Sequence, residues 1–123
     1  MNKNLQFLKR VSFAWNGISQ AFRKESSLRV QGVCAVLLFL ASLYLQPSTV
    51  WCAVFVAMTV LVISLEMINS AVEALLDKAY PEHDATVGFV KDCLAGAVLV
   101  ASFGSLLVFI IFLYSRGIIT ALW

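Results

Sequence analysis

The sequence predicts an all-α integral membrane protein, an amphipathic surface helix followed by three transmembrane helices, and three observations carry that reading. Hydrophobic residues make up 61% of the 123-residue chain and charged residues 13%, against roughly 45–50% and 25% in soluble domains. Mean hydropathy is +0.89. Two long runs, residues 30–65 and 93–115, carry no formal charge. The length suits one small domain, and a soluble domain of that size would need far more polar surface than this composition supplies. A disordered tail and a disulfide scaffold are excluded on the same grounds, and a net charge of +2 leaves no basic footprint for nucleic acid.

The first element is a helix within residues 1–29. Leu5, Leu8, Val11, Trp15, Ile18 and Phe22 recur at spacings of three and four and form one apolar stripe, while Lys3, Lys9, Arg10, Arg23 and Lys24 fall on the opposite half. An apolar stripe backed by basic residues suits the headgroup plane of an anionic membrane. The alternative is a helix packed on a partner protein. Residues 1–29 contain no continuous apolar core and no small-residue cleavage site, so no secretory signal is expected there.

The uncharged run 30–65 is too long for one span of about 20 residues and fits two joined by a tight turn. Gln46-Pro47-Ser48-Thr49 supplies that turn, because proline ends the preceding helix and Ser or Thr caps the next. The first span is predicted over 30–45. The second is predicted from Val50 past Glu66 to Lys78, with a break over 79–84. The third is predicted over 93–115. Residues 1–29 thus form an interfacial helix and residues 30–123 a three-span unit. Six of the nine basic residues lie in the first 29 positions, Lys78 and Lys91 flank the second loop, and the 46–49 turn has none. The positive-inside rule then puts the N-terminus and the 78–91 loop in the cytoplasm. Cys34, Cys52 and Cys93 lie widely spaced in apolar runs, without ligand spacing, and read as small packing residues.

Chemistry concentrates on the second span. Glu66, Asn69, Glu73 and Asp77 sit at i, i+3, i+7 and i+11, which places them within an arc of about 80° on a helix, with Ser70 beside it. Acids in or near hydrocarbon cost about 2.5–3.5 kcal/mol each, so a row of them requires a partner such as a metal, a cation or water. The alternative is a structural ion-pair cluster. Glu25, where the surface helix turns into the first span, and Lys91-Asp92, at the mouth of the third, fall at the same level. Oxygen ligands without histidines or thiolates suit Mg²⁺, which takes one or two carboxylates when phosphate oxygens supply the rest. Lys91 is the natural phosphate partner; otherwise it is an interfacial lysine whose stem lies along apolar surface. GxxxxGK[ST], GxGxxG and HRD/DFG motifs are missing. The residues alone therefore predict a cytoplasm-facing carboxylate and Mg²⁺ site, and do not separate an enzyme from an ion pathway or a regulatory subunit.

The segment Glu66-Met67-Ile68-Asn69-Ser70-Ala71-Val72-Glu73-Ala74-Leu75-Leu76-Asp77-Lys78 resembles the E-x-x-N-[ST]-A-[IV]-E-x-x-x-D signature of the prokaryotic diacylglycerol kinase family. Lys91-Asp92 matches the K-D that follows, and Trp15-Asn16-Gly17, Glu25 and Arg29 fit its N-terminal pattern. The resemblance implies a homotrimeric lipid kinase of the bacterial inner membrane, with active sites shared between subunits, moving the γ-phosphoryl of Mg·ATP to a lipid hydroxyl. By matching position, Glu66 would be the general base and Glu25 and Glu73 would hold the metal. Asn69, Asp77, Glu82, Lys91 and Asp92 would join Glu25 and Glu73 around ATP, and Trp15, Arg29, Gln31 and Ala95 would join Glu66 around the lipid. Diacylglycerol is the family's default substrate. The chain departs from the diacylglycerol-specific pattern at Val30-Gln31 and Cys93-Leu94-Ala95-Gly96. Ala95-Gly96-Ala97-Val98 and Phe13-Ala14-Trp15-Asn16-Gly17 look more like the undecaprenol kinase branch.

Overall fold

The computed structural model describes residues 2–118, so positions 119–123 of the three-span unit lie outside the described residues. It contains four helices, α1 (Lys3–Lys24), α2 (Ser26–Leu45), α3 (Thr49–Ala79) and α4 (Ala85–Ser115), and no strand among the described residues. Helices α2, α3 and α4 are each long and apolar enough to cross a membrane. Helix α3 packs against all three others, most extensively against α4.

Each boundary has a local cause. Asn2 caps α1, its side chain accepting from the Asn4 N–H at 3.3 Å. Gln46 closes α2 in the left-handed conformation at φ 50°, where proline at 47 forbids continuation. Ser48 caps α3 by accepting from the Trp51 N–H, within one residue of the expected start. The Asp84 carboxylate caps α4 by accepting from the Thr86 and Val87 N–H groups at 2.8 and 3.0 Å.

Two boundaries differ from expectation. The first helix ends at Lys24, and extended backbone at Glu25 (φ −102°, ψ 117°) lets α2 begin at Ser26, four residues before the predicted span. The Arg29 guanidinium enforces this corner by donating to the Phe22 and Arg23 carbonyl oxygens at 3.1 and 2.8 Å, which satisfies the last turn of α1. The third spanning helix, α4, begins at Ala85 rather than at Cys93, because loss of charge marks entry into hydrocarbon and not the start of a helix. Lys91 and Asp92 therefore stand on the second turn of α4.

At 1.5 Å per residue, the 31 residues of α3 and of α4 extend about 46 Å against a hydrocarbon core of about 30 Å. One end of each thus projects roughly 15 Å past the apolar layer. Meanwhile α2, with 20 residues, just spans it. The far end is closed by an aromatic cluster in which the Phe112 ring meets Trp51 and Phe55 edge-on, at centroid distances of 5.2 and 5.1 Å. There the Arg116 guanidinium donates to the Leu45 carbonyl oxygen at 2.6 Å and ties α4 to the end of α2. The buried apolar core among the described residues is thin: Leu28, Phe55, Val62, Val98 and Phe112. Most of each span faces outward.

Candidate functional site

The projecting end of α3 displays its polar residues in a graded series. Glu66, the first, is buried, with 6% of its surface exposed, and is the one buried charged side chain among the described residues. Counted from Thr49 it stands about 26 Å along the helix, just inside the hydrocarbon boundary. The Ser27 hydroxyl on α2 donates to Glu66 Oε2 at 3.2 Å. One turn further out, Asn69 is half-buried and its Oδ1 has no hydrogen-bond partner among the described residues. Glu73 is half-buried and Asp77 exposed. The row thus runs from an apolar interior to water along one helix face, as the sequence spacing requires.

The neighbouring helices flank the row on two sides. Lys91 on α4 forms an ion pair with Asp77, which fastens the projecting ends of α3 and α4 together. Glu25 occupies the extended corner between α1 and α2 and is half-buried. Gln31, one turn beyond Ser27, faces a cavity between α2, α3 and α4 and donates from Nε2 to Ser102 Oγ at 3.4 Å.

Other expected residues do not converge within one chain. Asp92 follows Lys91 on the helix, so it points about 100° away, and it is exposed. Glu82 lies exposed in the link between α3 and α4, and Ala95 is exposed on α4. Trp15 is 68% exposed on α1, whose apolar stripe is uncovered as far as Val11 and beyond. Arg29 is bonded to the carbonyls that end α1. Ser27 and Ser102 were not among the expected site residues. Ser27 has no local signal, because only packing shows which residue faces Glu66. Ser102 reads in sequence as a small residue for close helix contact, whereas its hydroxyl serves as a hydrogen-bond acceptor.

The model of the family described as "Prokaryotic diacylglycerol kinase" matches residues 12–113, which span α4 nearly to its end, all of α2 and α3, and half of α1. The chain belongs to that family. It is 27% identical over 111 residues to the diacylglycerol kinase of Escherichia coli (strain K12), covering 90% of this chain and 91% of that one. It is 31% identical over 97 residues to the Synechocystis diacylglycerol kinase, covering 78% of this chain and 55% of its relative. To the Haemophilus influenzae diacylglycerol kinase it is 26% identical over 94 residues, or 76% and 80% of the two chains. The protein is therefore a multi-pass membrane lipid kinase, and its chemistry is ATP-dependent phosphoryl transfer to a lipid. A non-enzymatic reading of the chain is set aside by that membership.

A divalent ion such as Mg²⁺ requires several oxygen ligands at once. No group of three His, Cys, Asp or Glu side chains among the described residues converges to hold a metal unaided. Glu25 and Glu73 offer two hard oxygen donors. That number suits an ion whose remaining ligands are nucleotide phosphate oxygens and water.

Proposed function

We propose that this lipid kinase phosphorylates diacylglycerol to phosphatidate at the cytoplasmic face of the bacterial inner membrane. It does so as a homotrimer, with Mg²⁺ held between Glu25, Glu73 and the nucleotide. The observation that carries the reading is Glu66: a buried carboxylate at the inner edge of the hydrocarbon, already accepting a hydrogen bond from an alcohol, Ser27. A lipid hydroxyl arriving at the same depth meets the same acceptor. The diacylglycerol kinase names of the relatives support the choice of lipid.

In this scheme Glu66 Oε2 takes the hydroxyl proton as the alcohol oxygen bonds to the γ-phosphorus. The bond from that phosphorus to the bridging oxygen breaks, and ADP leaves with the electron pair. Phosphoryl transfer depends chiefly on positioning and charge neutralisation. Lys91 neutralises phosphate charge while Asp77 holds its ammonium in place, and Asn69 and Asp92 orient the nucleotide. Bound magnesium would screen the phosphate oxygens. Glu82 reaches the nucleotide from the α3–α4 link, and the stripe of α1 lies in the headgroup layer with Trp15 beside the lipid. The exposure of Asp92 and Ala95 supports a site completed by a neighbouring subunit.

The run Ala95-Gly96-Ala97-Val98 favours undecaprenol as a second reading. Transfer of labelled phosphate from ATP to each lipid in mixed micelles with Mg²⁺ decides between them. Labelled phosphatidate is expected. Label only in undecaprenyl phosphate replaces the substrate, and no labelled lipid from either overturns the proposal.

A further inference from the structure

A cavity of ≈470 Å³ opens between α2, α3 and α4, lined mainly by apolar side chains such as Leu38, Val62 and Phe109. Gln31, Ser102, Ser105 and Thr59 interrupt that lining. The last two hydroxyls already donate to their own helices, Ser105 to the Ala101 carbonyl and Thr59 to the Phe55 carbonyl, each at 2.8 Å. Gln31 and Ser102 differ. They share one long hydrogen bond of 3.4 Å, leaving a second amide N–H and the Ser102 O–H available to an incoming acceptor.

Their depth is the informative quantity. Gln31 follows Ser27 by one helical turn on α2, and Ser27 touches Glu66. The pair therefore lies about 6 Å further into the bilayer than the carboxylate expected to receive the lipid hydroxyl. In a diacylglycerol the nearest ester carbonyl oxygen is five bonds from the free hydroxyl, roughly 6 Å at ordinary bond lengths. An isoprenoid alcohol carries only hydrocarbon at that distance and would leave both donors without an acceptor.

We propose that Gln31 and Ser102 form a carbonyl-reading pair that selects an ester-linked glycerolipid, its chains occupying this cavity while its hydroxyl reaches Glu66. The inference rests on the diacylglycerol reading above and assigns specificity within it. Simple hydrogen-bonded helix contact would also join these residues, but such contact contributes to stability and is blind to the chemistry of the lipid.

The test compares diacylglycerol with the dialkylglycerol diether of equal chain length, which keeps the hydroxyl and lacks the carbonyls. In the natural protein kcat/KM is expected to favour the diester about tenfold, the effect of one well-placed hydrogen bond. Gln31→Met and Ser102→Ala should each lower that ratio, Gln31→Met toward unity. A readout without turnover uses Cys34, which lines the same cavity: maleimide labelling followed by mass spectrometry should be slowed more by diester than by diether. Equal kcat/KM for diester and diether in the natural protein overturns the inference while leaving the diacylglycerol kinase reading intact. An unchanged ratio in both variants does the same, as does Cys34 crosslinking between copies regardless of lipid, which would make a second chain the occupant. No product from diacylglycerol at all removes the broader reading together with this one.

Discussion

Glu66 and Glu73 share a helix face but not an environment, and their substitutions should separate accordingly. Glu66 is buried beside Ser27, so Glu66→Gln removes the proton acceptor and keeps the shape. Turnover should fall by about 10²–10⁴, the usual reach of a general base, while nucleotide affinity measured by titration changes little. Glu73 is half-buried nearer the water, and Glu73→Gln should weaken Mg·ATP binding about tenfold or more as well as turnover. Full activity in both variants would refute the roles. Asp77 is exposed and Lys91 partly so, and water screens their ion pair, which therefore contributes little to stability. Lys91→Gln should accordingly raise the KM for ATP with a small change in thermal midpoint. A large drop in that midpoint would make Lys91 a structural strut instead.

At the scale of elements, the corner between α1 and α2 is the least obvious part of the fold. No glycine or proline stands at 24–26; the chain turns because Arg29 reaches back to two carbonyls and because Gly32 admits Phe22. A Cβ at Gly32 would lie 3.1 Å from Phe22 Cε1, closer than carbon atoms pack comfortably. Gly32→Leu and Arg29→Ala should therefore both loosen α1, the latter by about 1–2 kcal/mol for a solvated charge-assisted pair of hydrogen bonds. Faster hydrogen exchange in 18–24, with α3 and α4 unchanged, is the expected signature. Protection identical to the natural chain would show that the surface helix is held by the membrane alone.

Considered whole, the molecule has too little internal core for its surface. The five buried apolar residues among the described ones cannot order three spans, and side chains such as Val36, Leu99, Val100 and Phe103 are all exposed. Lipid covers some of that area, and small residues on α4 allow a second chain to approach closely. Crosslinking in active preparations should trap trimers; monomer alone would defeat the shared-site scheme. Topology is testable in the same membranes. Cysteines introduced by Ser48→Cys and Tyr80→Cys should label from opposite sides, the latter from the cytoplasm, as the basic residues dictate. Labelling of both from one side would break the three-span arrangement.

Much of this was readable without coordinates. Composition and the uncharged runs determine the all-helical membrane architecture, because a segment in hydrocarbon must satisfy its own backbone polar groups and long helices do so. The turn at Gln46-Pro47-Ser48 and the common face of Glu66, Asn69, Glu73 and Asp77 follow from proline's missing N–H and from 3.6-residue periodicity. Both are local properties of the chain. What surrounds that face is not local. That Ser27 meets Glu66, that Lys91 meets Asp77 while its neighbour Asp92 points elsewhere, and that Gln31 finds Ser102 across a cavity were decided by how the helices pack. The separations involved, 39, 14 and 71 residues, lie beyond any periodicity, since only the relative rotation and depth of rigid helices bring such residues together.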